Sequence, residues 1–440
     1  MSGGAVRRPV ATASDRTGVS TTSPSRIHPR RRRLGAVALG WVAVLLLTTG
    51  SAVAASPPKL SVTAAILIEQ GTGQQLYRYH PNRELPIAST TKLMTALVTL
   101  EHERHLGTMF TQPDYYAAAV DSQIGLTPGE RMSVHDLLLA LMLPSADDAA
   151  EDLAYNVGHG SVGRFVGMMD ARARELGLRH THYSTPIGLD TPGNYSSASD
   201  LVKLASYDLT HSRYFARIVA LPAAVLRSGN HVRHVVNRND LVGKVPWIDG
   251  VKTGHTADAG YVLVASGHRD GMTLVSAVLG TSSEAARDAN TLALLDYGFN
   301  DFALSKPVRA GSVLARPTVR DRPGRHAALI AGAAFIRVLP RGARLEVRVQ
   351  APREVAGPLP RHTRLGTAVV LVNGRPVARI PLLLAVALPA VSSLTIAARF
   401  VTRPVMMLAI VAVIGFVLAL GLVTRRRKRA RAANGGLEAA

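Results

Sequence analysis

Ile-Ala-Ser-Thr-Thr-Lys-Leu-Met-Thr, residues 87–95, places a hydroxyl and an amine three positions apart, at Ser89 and Lys92. Apolar residues follow at helical spacing and predict a helix packed into a core: Leu93, Ala96, Leu97 and Leu100. Positions i and i+3 of a helix share a face, so the Lys92 amine can reach the Ser89 oxygen.

This pair has the chemistry of nucleophilic catalysis. A serine becomes a strong nucleophile when a neighbouring base removes its proton, and a buried lysine with a lowered pKa can be that base. On the first helical turn the nucleophile also faces the positive end of the helix dipole. The same spacing is common wherever an N-cap serine precedes a solvated lysine, so the rest of the chain has to support the catalytic interpretation.

The charge distribution argues against a nucleic-acid partner. The net charge is +21, but residues 1–55, 306–381 and 382–440 contribute +7, +12 and +7. Residues 56–305, which hold Ser89 and Lys92, therefore carry −5. This region has no basic stripe with interleaved aromatic residues of the kind that a nucleic-acid groove needs. The chain has no cysteine, which excludes disulfides, thiol catalysis and thiolate metal ligands.

Both ends of the chain have the pattern of membrane-targeting segments. Residues 1–55 contain Arg30–Arg33, an apolar run and then small residues, which predicts a signal peptide or an uncleaved signal anchor. Residues 405–423 form an apolar run long enough to span a membrane. Because five basic residues follow at once, the positive-inside rule predicts a cytoplasmic tail at 424–440 and a single-pass protein with its catalytic domain outside the cytoplasm.

The intervening pattern predicts an α+β catalytic domain at 56–305 with an antiparallel sheet flanked by helices. Strands are expected at 60–68, 75–79, 260–266 and 272–279, and helices at 133–158, 161–177, 198–210 and 284–297. Residues 306–381 alternate with period two and predict a small basic β domain, which a linker at 382–404 joins to the membrane span. The basic charge of this β domain either attracts anionic wall polymers or lipid headgroups, or only keeps the domain soluble.

Three further stretches bear on Ser89. Leu143–Asp148 supplies a second hydroxyl at Ser145, and Ser184–Asp190 is a turn-rich loop. Asp249–Thr256 contains Lys252-Thr253-Gly254, where the glycine would let a substrate lie close against an edge strand.

The order Ser-x-x-Lys, Ser-x-Asn/Asp, Lys-Thr-Gly is that of the penicillin-binding proteins and class A β-lactamases. Over residues 60–300 the chain resembles the serine D-alanyl-D-alanine carboxypeptidases, the low-molecular-mass penicillin-binding proteins. The phrases that carry the resemblance are Ile87–Thr95, Gly250–Thr256, the Gly188-Leu189 loop and the closing Leu294–Phe299.

The resemblance implies a role for each site residue. Ser89 would attack the carbonyl between two terminal D-alanines of a peptidoglycan stem peptide, and Lys92 would take its proton. Ser145 and Lys252 would relay a proton to the leaving amine. The remaining implied positions bind the substrate: Thr253, Gly254, the His255 backbone, Arg287 and Asp147. The family implies no cofactor and no metal, and it implies β-lactam antibiotics as covalent inhibitors.

Asp147 departs from the family pattern, which usually has asparagine there. A carboxylate only accepts hydrogen bonds, and it would favour the charged forms of Lys92 and Lys252. A β-lactamase on the same fold remains an alternative, although no Glu-x-x-Leu-Asn phrase lies between Asp148 and Lys252. A catalytically weak wall-binding scaffold is a further alternative, and endopeptidase or transpeptidase activity would differ only in leaving group or acceptor.

Overall fold

The computed structural model describes residues 56–320, 322, 324–390 and 404–434. The segment predicted to be a signal peptide or anchor, much of the predicted linker and the last residues of the predicted tail lie outside these ranges. The elements below are numbered along the described chain.

Residues 64–301 contain nine strands and seven α-helices. The strands are β1 (Ala64–Glu69), β2 (Gln75–Tyr79), β3 (Met109–Thr111), β4 (Arg131–Ser133), β5 (Ala223–Leu226), β6 (Arg233–Val236), β7 (Ile248–Thr256), β8 (Gly260–Arg269) and β9 (Met272–Thr281). The helices are a 3-10 turn (Ala88–Thr91), α1 (Lys92–His102), α2 (Val134–Met142), α3 (Asp147–Val157), α4 (Val162–Glu175), α5 (Ala198–His211), α6 (Arg213–Val219) and α7 (Glu284–Asp301).

One antiparallel sheet organises this region, with strand order β2-β1-β9-β8-β7. Strand β1 is buried along its whole length because helices cover both faces of the sheet. Ile66, Val264 and Val275 pack with the helices α1 to α6, while alternate residues such as Leu67 pack against α7. The predicted α+β class with a flanked antiparallel sheet is confirmed, and β7 forms one edge of the sheet.

The expectation of one helix over 133–158 is wrong. The structure has two helices, α2 and α3, separated by Leu143–Ala146. Pro144 lies in this break, since proline cannot continue a helical hydrogen-bond ladder. Serines cap both α2 and α4: Ser133 accepts a hydrogen bond from the Asp136 N–H, and Ser161 accepts one from the Arg164 N–H.

Strands continue after α7. They are β10 (Phe302–Val308), β11 (Val313–Ala315), β12 (Thr318–Val319), β13 (Leu329–Ala331), β14 (Phe335–Pro340), β15 (Leu345–Gln350), β16 (Glu354–Val355), β17 (Arg364–Val372) and β18 (Arg375–Leu384). Five of them form a sheet of order β11-β13-β18-β17-β15 over a separate apolar core. Strand β10 pairs with β14 and spans position 306, where the sequence placed the start of the β domain. Strand β18 extends three residues beyond position 381, where the sequence placed the end of that domain.

A last helix, α8, spans Pro404–Asn434. An 18-residue stretch of its segment Pro404–Arg429 has a mean hydropathy of 2.9 and is not buried against the described protein. By length and composition, this helix can cross a membrane.

Candidate active site

The 3-10 turn and the start of α1 bring Ser89 and Lys92 together. The turn supplies Ser89, and Lys92 is the first residue of α1. Lys92 is 0% exposed, and its Nζ lies 2.9 Å from the Ser89 Oγ. The contact expected from the i, i+3 spacing is therefore present, and it lies on the inner side of the helix.

Two distant segments complete the surroundings of the Lys92 amine. Its Nζ lies 2.5 Å from the Asp147 Oδ1 and 2.9 Å from the Ile187 carbonyl oxygen. A protonated amine can donate to all three neighbours, while a neutral amine can donate to Asp147 and Ile187 and accept from Ser89. Of the three partners, Ser89 alone carries a proton to give, so the geometry suits proton transfer from serine to lysine.

Burial and the neighbouring carboxylate act in opposite directions on this lysine. Burial lowers the pKa of Lys92, because the charged form loses its hydration, while the Asp147 charge and hydrogen bond raise it. The lowering is the larger effect. Lys92 thus keeps access to its neutral form in spite of an ion pair whose side chains are only 0% and 5% exposed.

Lys252 reaches the site from the edge strand β7. It is 1% exposed, and its Nζ donates to the Thr253 carbonyl oxygen at 3.1 Å. Burial holds the pKa of Lys252 well below its usual range, and the positive charges of Lys92 and Arg238 lower it further. This lowered pKa favours a role for Lys252 in proton transfer.

Ser145 occupies the break between α2 and α3. Its φ of +67° lies in the left-handed region, which is costly for a residue with a side chain and is typical of functional positions. Its Oγ is buried and has no hydrogen-bond partner among the described residues. The hydroxyl is free to bond a group that enters the adjoining cleft.

A cleft of about 890 Å³ opens over these residues. Ser89, Ser145 and the segment Thr253–His255 line it, together with Arg287 from the first turn of α7. The exposed His255 ring stacks on Tyr261 with ring centroids 4.0 Å apart. All the predicted site residues thus lie in the cleft or directly beneath it.

Gly254 has a packing role that the sequence did not indicate. A Cβ at this position would lie 2.9 Å from the Ala88 Cβ and 3.0 Å from the Ser89 N. The glycine therefore lets β7 approach the turn that carries Ser89, in addition to lining the cleft.

Arg287 is buried and held by acidic neighbours. Its Nε donates to the Asp288 Oδ1 at 2.8 Å, and its Nη2 lies 2.9 Å from the Glu284 Oε1. The Nη2 contact is an ion pair without hydrogen-bond alignment, so this nitrogen has no hydrogen-bond partner among the described residues. The guanidinium therefore lines the cleft while its charge is shared with two carboxylates.

Comparison with known proteins assigns this site to a family. A family model described as D-alanyl-D-alanine carboxypeptidase, peptidase S11, matches residues 51–283. The chain belongs to the D-alanyl-D-alanine carboxypeptidases. It is a serine-type peptidase, and its fold is that of the low-molecular-mass penicillin-binding proteins.

Individual relatives agree with the family assignment. The chain is 33% identical to a D-alanyl-D-alanine carboxypeptidase of Streptomyces sp. K15, over 61% of this chain and 99% of the relative. It is 29% identical to carboxypeptidase DacF of Bacillus subtilis, over 72% of this chain and 83% of the relative. Penicillin-binding protein 5 from Haemophilus influenzae superimposes with a TM-score of 0.63 and 26% identity, covering 76% of this chain and 99% of that chain. These likenesses favour a carboxypeptidase over the β-lactamase and scaffold alternatives.

Sequence reasoning missed three contributors to the carboxypeptidase site. The Ile187 carbonyl binds Lys92, and the signal for it was the turn-rich loop, in which Gly188 packs against the Ala88 carbonyl. Arg238 lowers the pKa of both lysines, and no motif marks it. Arg233 forms a buried ion pair with Glu130 at 2.8 Å and so supports the cleft wall formed by 231–238.

Proposed function

We propose that Ser89 is the nucleophile that cleaves the bond between the two terminal D-alanines of a peptidoglycan stem peptide. The observation that carries this proposal is the 2.9 Å contact between the Ser89 Oγ and the Lys92 Nζ, at a lysine whose pKa burial lowers. Lys92 takes the hydroxyl proton as the Ser89 Oγ bonds to the carbonyl carbon. The C–N bond then breaks, the terminal D-alanine leaves, and water later releases the acyl group from Ser89.

The backbone N–H groups of Ser89 and His255 stabilise the negative oxygen of the tetrahedral intermediate in this scheme. Support comes from the close approach of β7 to the 3-10 turn at Gly254, which places the two backbones side by side. Preorganised N–H donors at such a position contribute about 10²–10³ to the rate. The substrate backbone then lies along β7, an edge strand of the described sheet, as an added strand.

Ser145 and Lys252 pass a proton to the departing amine. The Ser145 hydroxyl has no competing hydrogen bond among the described residues, and Lys252 has a strongly lowered pKa. A hydroxyl can accept a proton and donate its own, so Ser145 can pass the proton that Lys92 took from Ser89 on to the departing amine.

Thr253 and Arg287 bind the terminal carboxylate of the substrate. Both line the cleft, and Arg287 keeps Nη2 free of hydrogen bonds to described residues. A guanidinium is suited to a planar carboxylate, which it can bind through two parallel hydrogen bonds. We therefore expect substrates to end in a free C-terminal carboxylate.

Labelling with a fluorescent penicillin tests the acylation chemistry. β-Lactams are expected to acylate Ser89 covalently, and the Ser89→Ala variant should remain unlabelled. Absence of an adduct on the folded wild type would overturn the proposal. Release of D-alanine from a pentapeptide mimic then distinguishes a carboxypeptidase from an enzyme that only hydrolyses the β-lactam.

Transpeptidation is a second candidate activity. A solved structure described as the Streptomyces K15 DD-transpeptidase is 33% identical to this chain, with a TM-score of 0.54, covering 56% of this chain and 100% of that chain. The same acyl-enzyme would then be attacked by an amine in place of water. Adding an amino-acid acceptor to the pentapeptide assay and measuring the ratio of transfer to hydrolysis separates the two outcomes.

The enzyme is proposed to be anchored in the cell membrane by α8, with its tail in the cytoplasm. The apolar segment and the run Arg425–Arg429 that follows support this orientation. Residues 1–55 would direct export, 56–305 and 306–381 would lie outside the cytoplasm, and no nucleic acid is expected as a partner. Flotation of the full chain with membranes, combined with protease access to a C-terminal tag only after permeabilisation, tests the anchor and its direction.

A further inference from the structure

The chain leaves the β domain for α8 at one end of the domain. Leu388 forms a bridge with Leu359, and the Arg322 Nη2 donates to the carbonyl oxygens of Pro389 and Ala390, each at 3.2 Å. Residues 391–403 then connect this point to Pro404 at the start of α8. The end of the domain at which the chain leaves, which we call the exit end, is therefore the end connected to α8 by the shortest stretch of chain.

This exit end is strongly basic. We call the segments 316–326 and 353–362 the basic end, because β12 and β16 pair side by side there. The acids of these segments are Asp321 and Glu354, and the arginines outnumber them three to one: Arg316, Arg320, Arg322, Arg325, Arg353 and Arg361.

Three of these arginines have no side-chain partner among the described residues. The side chains of Arg325, Arg353 and Arg361 are exposed and form no hydrogen bond or ion pair with another described residue. Arg320 is only loosely paired with Glu354, at 3.5 Å between exposed side chains. Exposed pairs of this kind contribute little, so this guanidinium is also available to an external anion.

The opposite end of the same sheet faces the catalytic domain. The Arg341 N–H donates to the Asp301 carbonyl oxygen, and the Arg341 Nη2 contacts the Asp270 carboxylate at 3.3 Å. Arg344 bonds in turn to Asn373 in the hairpin between β17 and β18. Strand β17 runs from this hairpin toward the exit, so about 30 Å separate the two ends.

We propose that the basic end docks on the phosphate groups of anionic phospholipids, on the extracytoplasmic face of the membrane that α8 spans. The inference rests on the anchoring by α8 proposed above. Thirteen linker residues span at most about 45 Å, so the basic end always stays within reach of the bilayer. One guanidinium group can bind a phosphate through two parallel hydrogen bonds. Each arginine near an anionic surface raises the equilibrium constant for membrane binding about fivefold.

A wall polymer is less well supported as the partner. A polymer could reach any exposed face of the domain, whereas Arg325, Arg353 and Arg361 belong to the segments that contact the chain where it leaves for α8. Docking would hold the β domain upright on the bilayer and carry the active-site cleft away from the surface.

The test uses the full chain in nanodiscs of phosphatidylcholine, with or without phosphatidylglycerol. The chain has no cysteine, so a single Ala356→Cys change in the exposed turn after β16 accepts one dye. Energy transfer from this dye to a lipid labelled on its headgroup reports the distance of the basic end from the bilayer. The charge variant carries Arg325→Gln, Arg353→Gln and Arg361→Gln. The matched control removes the same charge through Arg344→Gln, Arg375→Gln and Arg379→Gln, which are exposed positions outside the basic end.

Docking predicts greater energy transfer with phosphatidylglycerol, and salt should reduce the difference because it screens exposed charges. The charge variant should lower the ratio of docked to undocked protein about a hundredfold, whereas the control should retain docking. Equal transfer in both lipids, or equal loss in both variants, would overturn the inference. So would a charge variant that loses only its sedimentation with isolated cell walls, since this would identify a wall polymer as the partner. Failure of the wild type to enter nanodiscs would instead contradict anchoring by α8, and penicillin labelling of each variant verifies folding.

Discussion

Asp147→Asn should shift the pH dependence of acylation to lower pH. In the structure the Asp147 carboxylate lies 2.5 Å from the Lys92 Nζ and stabilises the ammonium form, which raises the lysine pKa against the lowering effect of burial. Asparagine removes the charge, so the pKa of Lys92 falls. The neutral amine that accepts the Ser89 proton is then populated at lower pH.

The size of the shift follows from the contact. An opposite charge this close typically moves a pKa by about 1–3 units, and the pair is almost fully buried, so screening by solvent is weak. We therefore expect the acidic limb of the acylation profile to move down by about 1–3 pH units. Well below the wild-type inflection, the variant should acylate about tenfold faster or more, and at neutral pH its rate should be kept or raised.

The assay is the second-order rate of labelling by a fluorescent penicillin from pH 5 to 9. Asp152→Asn is a matched control: this buried residue lies on the same helix, and its Oδ1 accepts from Asn156 and not from Lys92. Burial, together with the Asp147 charge, also raises the pKa of Glu151 to about 7, so Asp147→Asn should lower the Glu151 pKa as well. Measuring each profile in a Glu151→Gln background removes this second inflection. An acidic limb that stays in place, or loss of labelling at every pH, would show that the carboxylate has a role of its own.

Three other substitutions test the remaining parts of the site. Gly254→Ala should lower stability by about 1–3 kcal/mol and impair acylation, because the new Cβ would press on the Ser89 backbone; an unchanged Tm would contradict the close packing. Ser145→Ala should leave the free energy of unfolding within about 0.5 kcal/mol, since the hydroxyl bonds no described residue, yet acylation should fall about 10²–10⁴-fold. A labelling rate equal to wild type would exclude the proposed proton relay. Glu130→Gln should lower the free energy of unfolding, measured in urea, by about 3 kcal/mol, because the buried Arg233 charge loses its partner. A decrease of less than about 1 kcal/mol would mean that solvent reaches the pair.

Local patterns in the chain were sufficient for much of the fold. Strands β8 and β9 and helices α4, α5 and α7 lie where periodicity placed them, within a few residues. Helix α8 covers the predicted apolar run at 405–423 but continues to Asn434. The break between α2 and α3 was not anticipated, because apolar residues continue on both sides of Pro144 and periodicity alone does not register the interruption. The left-handed φ of Ser145 is likewise held by the surrounding structure, since serine has no preference for that conformation.

The sequence by itself determined the Ser89–Lys92 contact, because the two residues are one helical turn apart and backbone geometry brings them together. It also determined the family, through the order of three motifs. Only the tertiary structure decided what surrounds the lysine: Asp147 is 55 positions away along the chain, and the Ile187 carbonyl is 95 positions away. The balance between burial and ion pairing on Lys92 depends on how α3, the 184–190 loop and β7 pack around α1, and distances across such a core are absent from any local pattern.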